Sequence, residues 1–152
     1  MTTPIHPDFP PEIWKHFYAL TQIPRGSGNT KAVCEHVKSF GKELGLETVQ
    51  DEAGNVMIRK PAYPGKESIP SVCVQCHLDM VCKHDPAFDI DMTKEPIKPR
   101  LVENGEFGPK VMAEHTTLGA DDGIGVAAAL ALLEDKTIQH GPIECLFTID
   151  EV

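Results

Sequence analysis

Between Val72 and Met80 the chain reads Val-Cys-Val-Gln-Cys-His-Leu-Asp-Met, a β-branched apolar run that stops at a histidine and a carboxylate two residues apart. A short, continuous run of this kind predicts a strand over Ser71 to Gln75 that is buried on both faces, which requires a sheet covered by helices. His77 and Asp79 are then expected just past its end. Open α/β sheets gather binding side chains there, because loops leaving the carboxyl ends of strands converge on one crevice.

The flanking segments alternate in the same sense. Pro10-Pro11 opens a helical pattern in Ile13, Phe17, Leu20 and Ile23, closed by Pro24 and Gly26-Ser27-Gly28. Asn29 or Thr30 can cap a second helix with a Val33, Val37, Phe40, Leu44 face, and Gly45 is its expected stop. Leu46 to Gln50 and Asn55 to Arg59 alternate around Asp51-Glu52-Ala53-Gly54 as a hairpin. Pro61 to Pro70 reads as a loop, and Lys83 to Gly108, proline-punctuated and charged, as a long irregular surface excursion beside the site. An alanine-rich helix follows Gly123, with Asp122 placed as N-cap, and Ile143 to Ile149 forms the next strand, ending at Asp150-Glu151. No repeats are evident. The expected class is α/β, a mixed sheet flanked by helices.

Composition removes several functions. Lys plus Arg number 14 against 23 acids, a net charge of −9, so the chain carries no footprint for nucleic acid or anionic lipid. No apolar run nears the roughly 18 residues of a spanning helix, and Met1 to Pro7 lacks the pattern of a secretory leader, so a cytoplasmic location is expected. The five cysteines, Cys34, Cys73, Cys76, Cys82 and Cys145, are odd in number and lack framework spacing, which predicts free thiols. Cys73 and Cys76 match a C-x-x-C pattern. Inside a strand, residues three apart face opposite sides, so the two sulfurs should diverge.

Chemistry concentrates at three places. His77 offers an imidazole as metal ligand, and Asp79 is placed to accept its other N–H and fix its orientation. A bare His-x-Asp can also be a solvated loop start. Asp121 and Asp122 precede a helix, where capping explains one carboxylate but not two. Glycines at 119, 123 and 125 permit close approach, so that one aspartate can project inward and bridge two metal ions. Glu151, just after a strand, can serve as general base on water; a solvated terminal carboxylate is its plain alternative.

These segments, in this order and spacing, resemble the aminoacyl-histidine dipeptidases, also called Xaa-His or cytosolic nonspecific dipeptidases, within the dinuclear zinc aminopeptidases and carboxypeptidases. Ile13-Trp14-Lys15-His16-Phe17 through Ile23-Pro24, the Asp51 to Pro61 hairpin and His140-Gly141-Pro142-Ile143-Glu144 extend the likeness to nearly the whole chain. The resemblance implies a zinc-exopeptidase-like domain of which residues 1–152 form the N-terminal portion. It makes His77 a zinc ligand, Asp79 its orienter, Asp121 the bridging carboxylate and Glu151 the general base in hydrolysis of a dipeptide. Two zinc ions are implied, manganese or cobalt being compatible with such donors.

One departure stands out: the family pattern has a glutamate ligand directly after the general base, and here that residue is Val152. The remaining ligands and the inserted dimerisation domain, which would make the full-length form a homo-oligomer, have no counterpart in these 152 residues. The expectation is an incomplete, inactive portion of a dipeptidase. Two alternatives stay open: a short binding or regulatory module without catalysis, and a structural zinc site built from Cys73, Cys76, Cys82, His77 and His84.

Overall fold

The computed structural model describes residues 10–152; the Met1 to Pro7 stretch read for a leader lies outside them. The order is α1 (Pro11–Thr21), α2 (Lys31–Glu43), β1 (Glu47–Gln50), β2 (Val56–Lys60), β3 (Val72–His77), β4 (Pro99–Gly105), β5 (Gly108–Ala113), α3 (Ala120–Glu134) and β6 (Ile143–Thr148). Four strands form one mixed sheet in the order β1-β2-β6-β3, with β3 and β6 parallel and the other pairs antiparallel. The α/β expectation and the 46–59 hairpin therefore hold, and Gly45, at φ +70, ends α2 where a left-handed residue is needed.

The sheet buries one face. Register aligns Val56, Phe147 and Cys76 in one row across β2, β6 and β3, and Ile58, Cys145 and Val74 in the next. Against these rows pack Phe17 and Leu20 of α1, Val33 and Val37 of α2, and Val126 and Leu130 of α3 in a single apolar cluster. On the other face Arg59 pairs with Glu144 at 2.7 Å and Glu47 at 2.6 Å, a cross-strand ion network left to solvent. Burial pushes the Cys76 thiol up and takes that of Cys145 to about 11, so both remain protonated packing groups.

Two sequence expectations need correction. The strand expected over 71–75 runs Val72–His77, because its parallel ladder with β6 continues to the pair His77 and Thr148; His77 ends the strand instead of following it. Nor is it buried on both faces. Among the described residues β3 pairs only with β6, and Val72 is 58% exposed. Within the stretch read as irregular, Pro99–Gly105 forms β4, paired with β5 in a separate two-stranded ribbon. None of its residues is buried, so it carries no apolar alternation by which to be recognised.

Helix α1 is tied to α3 by His16, whose Nε2 lies 2.9 Å from Glu134 Oε1. Burial nonetheless lowers the His16 pKa, outweighing Glu134, and burial followed by the nearby His16 lowers that of His36. A depressed folded-state pKa means that the unfolded chain binds more protons, so these two contributions are present above the ordinary histidine value of about 6.5 and are lost as pH falls below it. Urea denaturation at pH 7.5 and 5.5 should show the wild-type chain losing more stability on acidification than a His16→Gln/His36→Gln variant. Equal losses would refute the assignment; any contribution from His77 is common to both proteins.

Candidate functional site

Three loops meet beyond the carboxyl ends of β3 and β6. The first follows α1, where Gly26 and Met80 form a parallel bridge, Met80 N donates to Arg25 O at 3.1 Å and Ser27 N donates to Met80 O at 3.3 Å. The second is the His77-Leu78-Asp79 exit from β3. The third leads into α3 through Gly119, whose φ of +71 favours glycine.

Asp79 is fully buried, and a buried carboxylate is tolerated only when donors surround it. It accepts from Ser27 Oγ at 3.0 Å, from Glu151 N at 3.2 Å and from Val152 N at 3.2 Å. Burial alone would raise its pKa; the bonds from Val152, Glu151 and Ser27 outweigh this and hold it below the ordinary aspartate value. One side chain thus fastens the end of β3 to the segment after β6.

His77 is buried and its two nitrogens are differently engaged. Nδ1 lies 3.0 Å from the Asp79 carbonyl oxygen and 3.4 Å from Asp79 Oδ1. A carbonyl only accepts, so Nδ1 carries a proton, and the ring is oriented by the Asp79 backbone instead of the carboxylate expected from the sequence, which is taken up by its own donors. Nε2 faces Asp121 Oδ1 at 3.1 Å and Glu151 Oε2 at 3.6 Å. Burial lowers the His77 pKa, but the Asp121 bond, the Asp79 carbonyl and the adjacent charges outweigh it and raise it overall.

The two adjacent aspartates divide their tasks. Asp121 and Asp122 have non-helical backbone angles, so the regular part of α3 starts at Gly123. Asp122 Oδ1 accepts from Gly125 N at 3.2 Å, the N-cap expected from the sequence. A side chain at 125 would collide with it, a Cβ there lying 2.3 Å from Asp122 Oδ1. Asp121, freed from capping, turns to His77 with its side chain 90% exposed.

All four residues singled out from sequence, His77, Asp79, Asp121 and Glu151, thus lie in one contact network. Among the described residues, however, no group of three His, Cys, Asp or Glu side chains surrounds a common point as a metal would require. Asp79 is committed to its own donors, while Asp121 and Glu151 both address the same nitrogen. The donor chemistry of that nitrogen still fits a cation. With Nδ1 protonated, a neutral ring would set the Nε2 lone pair against two carboxylates, a repulsion that a proton or a metal ion between them relieves. Cys73 and Cys76 do separate to the exposed and buried sides of β3, as strand alternation demands.

Arg25 and Ser27 belong to this assembly and were not read from the sequence. Arg25 is 1% exposed, with Nη1 donating to Leu78 O at 2.8 Å and Nη2 to Gly119 O. Only the glycines at 119 and 123 hinted at it, since both are approached by its guanidinium. Beside the site an open hollow is lined by Met80, Thr117, Leu118, Asp121 and Val152.

No family model matches the chain. It is, however, homologous to dipeptidases and tripeptidases over the N-terminal part of those enzymes. It is 42% identical over 142 residues to the cytosol non-specific dipeptidase of Escherichia coli K12, covering 93% of this chain and 28% of that protein. The crystal structure of aminoacylhistidine dipeptidase from Vibrio alginolyticus superposes with a TM-score of 0.87 at 43% identity, again over 94% of this chain and 28% of the other. A tripeptidase structure from Staphylococcus aureus gives a TM-score of 0.71 at 26% identity, with 92% and 36% covered. The chain therefore spans about 28% of the length of the two dipeptidases it matches.

Because Asp79 is buried with three donors and Asp121 is exposed, their removal should cost differently. Asp79→Ala is expected to destabilise the chain by about 3 kcal/mol, through unpaired buried donors, and Asp121→Ala by no more than about 0.5 kcal/mol. Chemical denaturation at pH 7.5 measures both, and comparable losses would contradict a structural role for Asp79 that Asp121 lacks.

Proposed function

We propose that residues 1–152 are the N-terminal portion of the catalytic domain of a metal-dependent dipeptidase that hydrolyses Xaa-His-type dipeptides in the cytoplasm. The observation that carries this reading is the His77 ring, its Nδ1 committed to the Asp79 carbonyl and its Nε2 presented to Asp121 and Glu151. The homology to dipeptidases supports it, as does the name of the Escherichia coli relative for the location.

In this reading His77 and Asp121 hold the metal, zinc first and manganese or cobalt as compatible ions, with two ions in the complete site. The metal supplies polarisation of the scissile carbonyl and acidification of water. Asp79 keeps the ring oriented and, through the Glu151 and Val152 amides, sets where the chain after β6 lies. Glu151 takes the proton of the attacking water and passes it to the leaving amine.

Two ligands alone hold zinc weakly, and Val152 adds none where the family pattern has a glutamate. The isolated chain should accordingly show negligible dipeptide turnover with zinc supplied. Zinc titration against a chromophoric chelator tests the site directly: weak binding by wild type, none by His77→Ala, and binding strengthened at least about tenfold, or ~1.4 kcal/mol, by Val152→Glu. If Cys76→Ser released the metal while His77→Ala did not, the cysteine-based zinc site would replace this reading.

A further inference from the structure

We propose that Arg25 is a positioning residue that fixes the spacing between His77 and Asp121. The proposal deepens the metallopeptidase reading and rests on it for the meaning of that spacing. His77 stands on β3 and Asp121 at the entrance to α3, 44 residues apart in the chain, and they meet at 3.1 Å across a gap that neither element closes by itself. The guanidinium closes it.

Nη1 of Arg25 donates to Leu78 O at 2.8 Å and lies 3.5 Å from Asp79 O, while Nη2 donates to Gly119 O. The Asp79 carbonyl is the same oxygen that accepts from His77 Nδ1 at 3.0 Å. Gly119 lies two residues before Asp121. One planar fork therefore holds the backbone at Leu78, one residue before the carbonyl that orients the imidazole, and the backbone that delivers the carboxylate, with a fixed two-pronged geometry that a lysine's point charge does not reproduce. The same short segment grips Asp79 from its other end, through Ser27 Oγ at 3.0 Å from Oδ2.

The surroundings are shaped to admit this group. A Cβ at Gly119 would lie 2.6 Å from Arg25 Nη2, and a Cβ at Gly123 would lie 2.7 Å from the same atom and 3.0 Å from Phe17. The guanidinium is thus wedged between the two glycines that flank Asp121 and Asp122. A buried cation of this kind serves by geometry, since its donors go to backbone carbonyls of two separate loops.

The test uses the full 152-residue chain, with zinc alone as the metal probe and the imidazole 1H–15N spectrum of the metal-free protein as a second readout. The His77 signals are assigned by their absence in His77→Ala. Arg25→Lys keeps the charge but loses the fork, and Gly123→Ala keeps Arg25 but displaces it. Both should weaken zinc binding at least about tenfold, as loss of groups supporting a metal ligand commonly does, and both should shift the His77 ring signals. Leu130→Ala, a core truncation remote from these bonds, should lower stability while leaving zinc affinity and the His77 signals unchanged. If Arg25→Lys fails to fold, Gly123→Ala decides.

The proposal is overturned if a folded Arg25 or Gly123 variant keeps wild-type affinity and wild-type His77 signals, or if Leu130→Ala shifts them equally. Should wild type bind no zinc while the Arg25 and Gly123 variants still move the His77 ring, the metallopeptidase reading fails and the positioning role stands.

Discussion

A carboxylate with no access to water has to be surrounded by donors, and the site end of this fold is arranged around that requirement at Asp79. Its oxygens collect Ser27 from the loop after α1 and the amides of Glu151 and Val152 from the segment after β6. Segments far apart in sequence are thereby drawn to one point. Its carbonyl does a second task, receiving the Nδ1 proton of His77 and leaving Nε2 as the nitrogen that faces outward.

The sheet supplies the platform on which this happens. Parallel pairing of β3 with β6 carries both strands to the same end, so His77 and Thr148 are partners and the residues that follow each strand emerge side by side. The helices contribute differently. Helix α3 sets its regular first turn on Asp122, which frees Asp121 to leave the helical path and reach the imidazole. Capping and contact with His77, chemically similar tasks for a carboxylate, fall to two adjacent residues.

The elements with a strong apolar period were legible from the chain. The faces of α1 and α2, the 47–60 hairpin and β6 all follow from alternation or three-to-four spacing, because each has one side in the core. What lacks a fully buried side left no such trace: β4 and β5 form a half-buried ribbon that touches the core through Val111, and the exposure of β3 depends on which strands neighbour it. The residues of the candidate site were legible in type, since an apolar strand stops at a histidine and an aspartate, and two carboxylates precede a helix where a cap needs one. Arg25 was not. A lone arginine between Pro24 and Gly26 looks like any solvent-facing charge, and its burial depends on loops 53 to 94 residues distant.

The glycines at 119 and 123 carry a consequence for how such a chain can vary through descent. Each is occupied, in effect, by the side chain of another residue, so the three positions 25, 119 and 123 share one volume. An arginine at 25 crowds out any larger residue at the other two, and a shorter residue at 25 would leave a hollow that bulk at 123 could refill more readily than bulk at 119, where φ is +71 and Met80 Sδ also lies 2.6 Å from a Cβ. Drift at these positions is therefore correlated: a lineage can abandon the arrangement only by passing through a sequence in which that volume is either doubly claimed or vacant.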